Sequence, residues 1–329
     1  MDNLTHSLVG VLLSRAGLNR LAPQAGWLLL ASANAPDLDV FSGLKDATAY
    51  LDFHRGLTHS LPMAPLLALL PWAVWRLAVR RGSALGGYVC ALAGVLSHLL
   101  LDAMNAYGIR LLLPFRSDWY SLDAAFIIDI WIWALLLAAV IAPLLARLVN
   151  AEIGARSGPG RGGASFALLL MAAFLFVRSL AHSHAIQLLL DREYPEGRVL
   201  RVGAFPGPAN PLRWRGVVEL PSAVRTYDLD LLREFDPDAG RIFYKSVPAD
   251  AIAAARRSPV IETVARFNQF PYWSAIPVSD PENGLEVRLD DLRFGEPGEG
   301  RFSARALLDA RRQVVQATFG FGTLGVRKP

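Results

Sequence analysis

"SALGGYVCALAGVLSHLLLDAMNAYG", residues 83–108, decides the fold. From Ser83 to Ser97 it carries no charge, and as a helix the stretch approaches the roughly 30 Å of a bilayer's hydrocarbon core. Its last turns then carry His98 and Asp102. Four residues apart, they share one helix face. Ionisable groups are expensive at membrane depth, so such a pair is a functional candidate.

Comparable apolar runs lie on either side, at 61–79, 124–147 and 164–190. With 83–104 they make four segments long enough, or nearly so, to span a membrane. A shorter run, "GWLLLASANAP" at 26–36, follows a polar turn. Before it, Leu4, Leu8, Val11 and Leu12 recur at helical spacing over 4–17. These two read as a short helical hairpin that enters the membrane only in part. The whole chain of 329 residues is 53% hydrophobic and 19% charged, with a mean hydropathy of +0.32. The excess of apolar residues is confined to residues 1–190. From 195 to 329 the composition is that of an ordinary water-exposed domain.

That C-terminal part alternates at period two in "RVLRVGAF", "RWRGVVEL", "GLEVRLDDLRF" and "FSARALLDA". "ADAIAAARRSPVIETVARFNQF" reads as one or two helices broken at Pro259. The expected architecture is therefore mainly α. A polytopic helical membrane domain, 1–190, is followed by an α+β domain, 195–329, built as an antiparallel sheet with a helical excursion. The Gly-, Ser- and Pro-rich stretch 150–165 reads as a linker.

A formal charge of +4 is too small to argue for nucleic acid. The single cysteine, Cys90, excludes an intrachain disulfide and a cysteine metal site. Asp2 and His6 stand where a signal peptide has its positive region, so the N-terminus reads as retained. Arg76, Arg80, Arg81, Arg147, Arg156 and Arg161 flank two of the turns, with Arg15 and Arg20 in the first. Placing those turns inside satisfies the positive-inside rule and puts 195–329 on the non-cytoplasmic side.

All six histidines precede residue 185. His6 opens the first short helix, and Asp37 and Asp39 follow the second in "NAPDLD". His54, Arg55 and His59 stand in "LDFHRGLTHSLPMAP", just before the run at 61–79. Thr58 or Ser60 could cap the helix that follows. His98 and Asp102 end the next run, and Asp123 and Asp129 open the one after. On the expected topology all of these surface at one membrane face. His54, His59, His98 and Asp102 together point to metal or catalysis, and Asp37, Asp39 and His6 join them as candidates. An unpaired carboxylate inside "FIIDIWIW" would be costly, so Asp129 reads as a ligand or an orienting group. Asp123 reads as a helix cap. His182 and His184 sit on different helix faces, so at most one of them could join a site. Arg55 could meet an anionic substrate or a lipid headgroup. Trp119, Tyr120, Trp131 and Trp133 read as an interfacial aromatic belt. H-E-x-x-H, G-x-S-x-G and P-loop motifs are absent.

"LTHSLVG", "APDLD", "HRGLTHS", "SHLLLDAMNAYG" with "LLLPF", and "FIIDIW" resemble, in order, the predicted membrane-bound metal-dependent hydrolases of the YdjM type. The likeness covers about residues 1–145. "HRGLTHS" is its most specific piece, and the tail is similar to the extension of longer members. The resemblance implies an inner-membrane protein holding a divalent metal with His6, Asp37, His54, His59, His98 and Asp102, or a subset. Imidazole and carboxylate without thiolate suit zinc, with manganese or iron as alternatives. The expected activity is hydrolysis by metal-activated water, with Asp39, Arg55 and Asp129 as catalytic residues. The expected substrate is a small molecule or a lipid carrying an ester, amide or phosphoester bond. The competing reading is a non-enzymatic membrane protein whose cluster fixes the helix ends while the C-terminal domain binds a partner. The oligomeric state is left open.

Overall fold

The computed structural model describes residues 1–152, 160–299 and 301–321. Seven helices come first: α1 (Asn3–Ala16), α2 (Ala25–Asn34), α3 (Ala47–Phe53), α4 (Ala64–Val79), α5 (Ala84–Ala103), α6 (Ile130–Glu152) and α7 (Arg161–Leu190). Two four-stranded antiparallel sheets follow, β1-β2-β3-β4 and β5-β6-β7-β8. Their strands are β1 (Arg201–Pro206), β2 (Arg213–Glu219), β3 (Ala223–Asp230), β4 (Arg241–Tyr244), β5 (Pro271–Val278), β6 (Gly284–Asp291), β7 (Phe302–Leu308) and β8 (Val314–Phe321). Two short helices, α8 (Ala249–Ala255) and α9 (Pro259–Phe267), lie between the sheets in sequence. The expected class, a helical membrane part followed by an α+β part, is what the chain adopts.

Three helices, α5, α6 and α7, are long and apolar enough to cross a membrane. A fourth span arises if Ala47–His59 and Ala64–Val79 are counted as one broken segment. The run at 61–79 gives a helix of only 16 residues, about 24 Å long. Its neighbour at 124–147 becomes helical only from Ile130. The reason is Asp129, whose Oδ1 accepts the backbone N–H groups of Trp131 (3.0 Å) and Ile132 (3.3 Å), the bonding of an N-cap. Thr58 and Ser60 cap nothing: Met63 precedes α4, and both hydroxyls bond elsewhere.

The contacts divide the chain into two units, Met1–Val40 with Phe53–Ala181 and Pro206–Pro211, and Phe41–Asp52 with His182–Phe205 and Leu212–Pro329. In the first, one core joins Leu8, Val9 and Leu12 of α1 to Ile132 and Leu136 of α6 and to Ala167 and Met171 of α7. A second joins Leu28 and Leu29 of α2 to Ala68 and Trp75 of α4 and to Ala91 and Val95 of α5. Two glycines set the approach of these helices. A Cβ on Gly10 of α1 would stand 2.9 Å from the Leu29 carbonyl oxygen, and one on Gly94 of α5 2.6 Å from Ser32 Cβ. Helix α2 is thereby clamped between α1 and α5, which brings the start of α1, the end of α2 and the end of α5 to one place. Along α6, Ile141, Leu144, Leu145 and Leu148 stay exposed, as lipid-facing residues do.

In the second unit the inward faces of the strands supply the core: Trp214, Tyr227 and Leu229 in the first sheet, Val287, Leu289, Ala304 and Ala306 in the second. Helix α9 packs Ile261, Val264 and Phe267 inward and touches β7 and β8. Of one or two helices, the chain forms two, and Pro259 begins the second, consistent with its fixed φ and missing N–H at a first helical position. Where one sheet is expected there are two, because β3, β4, β5 and β8 escape the period-two pattern. Strand β3 is buried along most of its length, β4 has only four residues, and β5 carries Pro271 and Pro277. Arg156 and the middle of the expected linker lie outside the described residues.

Candidate metal centre

Four segments meet at the end of the helical unit. Pro36 stops α2, and a 3-10 stretch, Pro36–Leu44, turns Asp37 and Asp39 back over the helix ends. "HRGLTH" follows α3 with Arg55 at φ 58°, a left-handed conformation that a side chain adopts only when its surroundings hold it. The last turn of α5 contributes His98 and Asp102, and the first turn of α1 contributes His6.

Asp37, His59, His98 and Asp102 place one ligand atom each within 4.8 Å of one another. His59 Nε2 lies 3.0 Å from His98 Nε2, 3.4 Å from Asp37 Oδ1 and 3.4 Å from Asp102 Oδ2. His98 Nε2 lies 3.6 Å from each of the same two oxygens. Four ligands about 2.1 Å from a central ion in a tetrahedron stand about 3.4 Å apart. The observed separations scatter around that figure.

The hydrogen-bond roles sharpen the fit. His98 Nδ1 is 2.6 Å from the Ala33 carbonyl, which can only accept, so Nδ1 carries the proton. His59 Nδ1 is 3.2 Å from Asp39 Oδ2, an acceptor when ionised, so the same holds there. Each ring thus has its Nε2 left for the centre, and the two Nε2 atoms face each other across 3.0 Å, beside two carboxylate oxygens. The two Nδ1 contacts are the outer hydrogen bonds that orient histidine ligands.

Asp39 anchors the histidine loop. It accepts from His54 Nδ1 (2.7 Å), the Arg55 backbone N–H (3.1 Å) and Thr58 Oγ1 (2.5 Å). Burial pushes its carboxyl up, but the bonds from His54 and His59 outweigh that and hold it well below the usual carboxylate range. Asp37 is likewise buried yet pulled down to about 2, by the hydrogen bond and charge of His59 and the charge of His98. Its Oδ2 accepts from Asn3 Nδ2 at 3.0 Å. Asp37, Asp39 and His54 form a second group with ligand atoms within 4.8 Å.

Arg55, expected to face an anionic substrate, is buried and turned inward. Its Nε and Nη2 reach the two oxygens of Asp102 at 3.1 and 3.2 Å, and Nη1 donates to Asn105 Oδ1 and to the Gly108 carbonyl. Its guanidinium carbon stands 4.5 Å from the centre of the Tyr107 ring. His6 stacks on His98 with ring centres 3.7 Å apart and puts Nε2 3.3 Å from Asp102 Oδ1. The amino group of Met1 contacts the same oxygen. Asp129, expected as a ligand or orienting group, instead caps α6 and belongs to neither metal-sized group. His182 and His184 also stand outside both groups. Sequence reasoning gave no role to Asn3, Asn105 or Tyr107, although the last two sit inside the quoted "DAMNAYG".

Helices fit to cross a membrane, ending on a buried histidine and aspartate cluster of metal-binding size, define a class: an integral membrane protein with a candidate metal centre. The comparison with known families agrees. The family model described as "YdjM inner membrane protein" matches residues 1–185, and the chain belongs to that family. A curated relative, "Uncharacterized protein YfhP" of Bacillus subtilis (strain 168), is 31% identical over 150 residues, covering 43% of this chain and 45% of that protein. The chain thus matches less than half the length of that relative. No solved structure matches the chain.

Proposed function

We propose that the protein is a membrane-bound, metal-dependent hydrolase with zinc held by Asp37, His59, His98 and Asp102. The observation that carries the reading is the pair of Nε2 atoms facing each other at 3.0 Å while both Nδ1 protons are committed elsewhere. A divalent cation in that position supplies Lewis acidity, polarising an ester or phosphoester bond and making water nucleophilic near neutral pH. The chain's own residues then divide the work. His59 and His98 bind, Asp39 and the Ala33 carbonyl fix their rings, and Arg55 holds both oxygens of Asp102 in place. In this reading Arg55 and Asp39 are positioning residues. Asp37, at 13% exposure against 0% for the other three, is the member that water or substrate reaches first. The substrate is a lipid or envelope ester, amide or phosphoester at the inner membrane. Residues 195–329 form a domain on the non-cytoplasmic side.

Metal analysis of the purified full chain tests the reading. Wild type retains zinc after dialysis, and His98→Ala and His59→Ala lose it. Equal metal content in all three proteins would remove the centre. One observation favours a second reading: three of the four ligands are fully buried, as in a closed structural site. The visible spectrum of the cobalt(II) form separates the two. An open, catalytic position responds to added inorganic phosphate, and a closed one does not.

A further inference from the structure

The candidate ligands lie deeper than a water-facing site would put them. Helix α5 needs all 20 of its residues, about 30 Å, to cross a hydrocarbon core of that thickness. Arg80 and Arg81, both exposed, mark one boundary just before it. His98 stands five residues from the other end, about 7.5 Å inside that boundary. Leu96 and Leu100, on either side of His98 in sequence, are 38% and 60% exposed, so α5 faces lipid at the level of the ligands. Apolar exposure continues past the helix end. Within "HRGLTH", residues 54–59, Leu57 alone is exposed, and within "PDLDV", residues 36–40, Leu38 and Val40 are. The polar members of both segments turn inward while their apolar neighbours turn out. Asp37 is the one partly exposed ligand of the four. Asn3 Nδ2 bonds its Oδ2 (3.0 Å) and Asn34 Oδ1 (3.4 Å), and Asn34 donates in turn to Ser7 Oγ at 3.0 Å. A short polar seam between the start of α1 and the end of α2 thus leads to Asp37, with Leu4 and Leu38 exposed beside it in sequence.

We propose that the centre opens sideways into the bilayer at Asp37, between the ends of α1 and α2, and that its substrate is a membrane lipid entering from that side rather than a water-soluble ester. The occupant follows from continuity, since the apolar surface around the opening extends the lipid-facing surface of α5. Acyl chains meet Leu4 and Leu38, while the headgroup reaches Asp37 along the seam of Asn3, Ser7 and Asn34. The choice of substrate rests on the hydrolase reading; the sideways opening does not.

A nitroxide at Leu38→Cys, and another at Leu100→Cys, each in full-length Cys90→Ala protein in phosphatidylcholine nanodiscs, reads the depth of the opening without metal or turnover. Oxygen, which concentrates in lipid, is expected to relax both labels more than a water-soluble nickel chelate does. Nickel dominance at Leu38 would place the opening in water and overturn the proposal, while leaving the metal centre standing. If Leu38→Cys does not fold, Leu4→Cys reads the same opening. For the substrate, the probes are phosphatidic acid within the disc and glycerol phosphate in the buffer, each added to the cobalt(II) form. The lipid is expected to shift the visible bands at about tenfold lower total concentration, because confinement to the disc raises its concentration at the opening. Equal potency, or a preference for glycerol phosphate, would overturn the lipid substrate. A shift with neither probe would overturn it together with the catalytic reading.

Discussion

Charge is buried in both parts of the molecule, but it is balanced in opposite ways. In the sheet-containing part, Asp291 and Arg293 are both fully buried and form their own ion pair, with Arg293 donating a further bond to the Phe267 carbonyl. Glu196 and Arg225 make a second such pair with both side chains nearly buried. Asp291 and Glu196 thus each have a guanidinium. At the helix ends, Asp37, Asp39 and Asp102 are gathered with His54, His59, His98 and His6, and Arg55 is the guanidinium on Asp102. Self-contained pairs are what a fold needs to bury charge at tolerable cost. Carboxylates assembled with several imidazoles are instead the donor set of a metal centre.

Removing one arginine from each region breaks the comparison most sharply. Arg293→Ala leaves buried Asp291 without its guanidinium, and Arg55→Ala does the same to Asp102, each at an expected cost of up to about 3–5 kcal/mol. The two should differ in rescue. Zinc restores part of the loss for Arg55→Ala and none for Arg293→Ala in thermal unfolding of the purified chain. Equal rescue, or none in either, would make the two regions alike.

Chelation is the next largest effect. At free zinc about 100 times the dissociation constant, bound metal stabilises by about 2.7 kcal/mol. The unfolding midpoint of wild type should fall in EDTA and return with zinc, while His98→Ala should show neither change. The orienting carboxylate comes third. Asp39→Asn replaces one of the two oxygens that fix His54 and His59 with an NH2 donor, with an expected 10–100-fold loss of zinc affinity in competition titrations. The smallest change is expected at Asp129. Asp129→Ala removes the cap of α6 at about 1 kcal/mol and leaves zinc binding as it was. A loss of zinc in that variant would restore Asp129 to the centre.

The helical part was legible because membrane burial writes itself into long apolar runs, and because costly polar residues stand out inside them. His98 and Asp102 stand inside one such run, and His59 stands just before another. Asp129 stood out by the same rule yet serves α6 itself, since one carboxylate beside an apolar run reads the same whether it meets an ion or two backbone N–H groups. Arg55 was misread for a related reason. Its neighbour His54 suggested an outward substrate, whereas its partners Asp102, Asn105 and Gly108 lie about fifty residues on and are joined to it only by the fold. The sheets were half legible. Strands with alternating faces declared themselves, while β3 carries adjacent polar residues, Arg225 and Thr226, both buried, which breaks the alternation.

The ring of His98 is steered by the main chain of α2 rather than by a side chain. No single replacement at residue 33, short of altering the course of the backbone, deletes that acceptor. The orientation of this imidazole is therefore inherited from how tightly two helices nest at Gly94. A bulkier residue there, one turn before His98, would detune the centre by tilting a carbonyl.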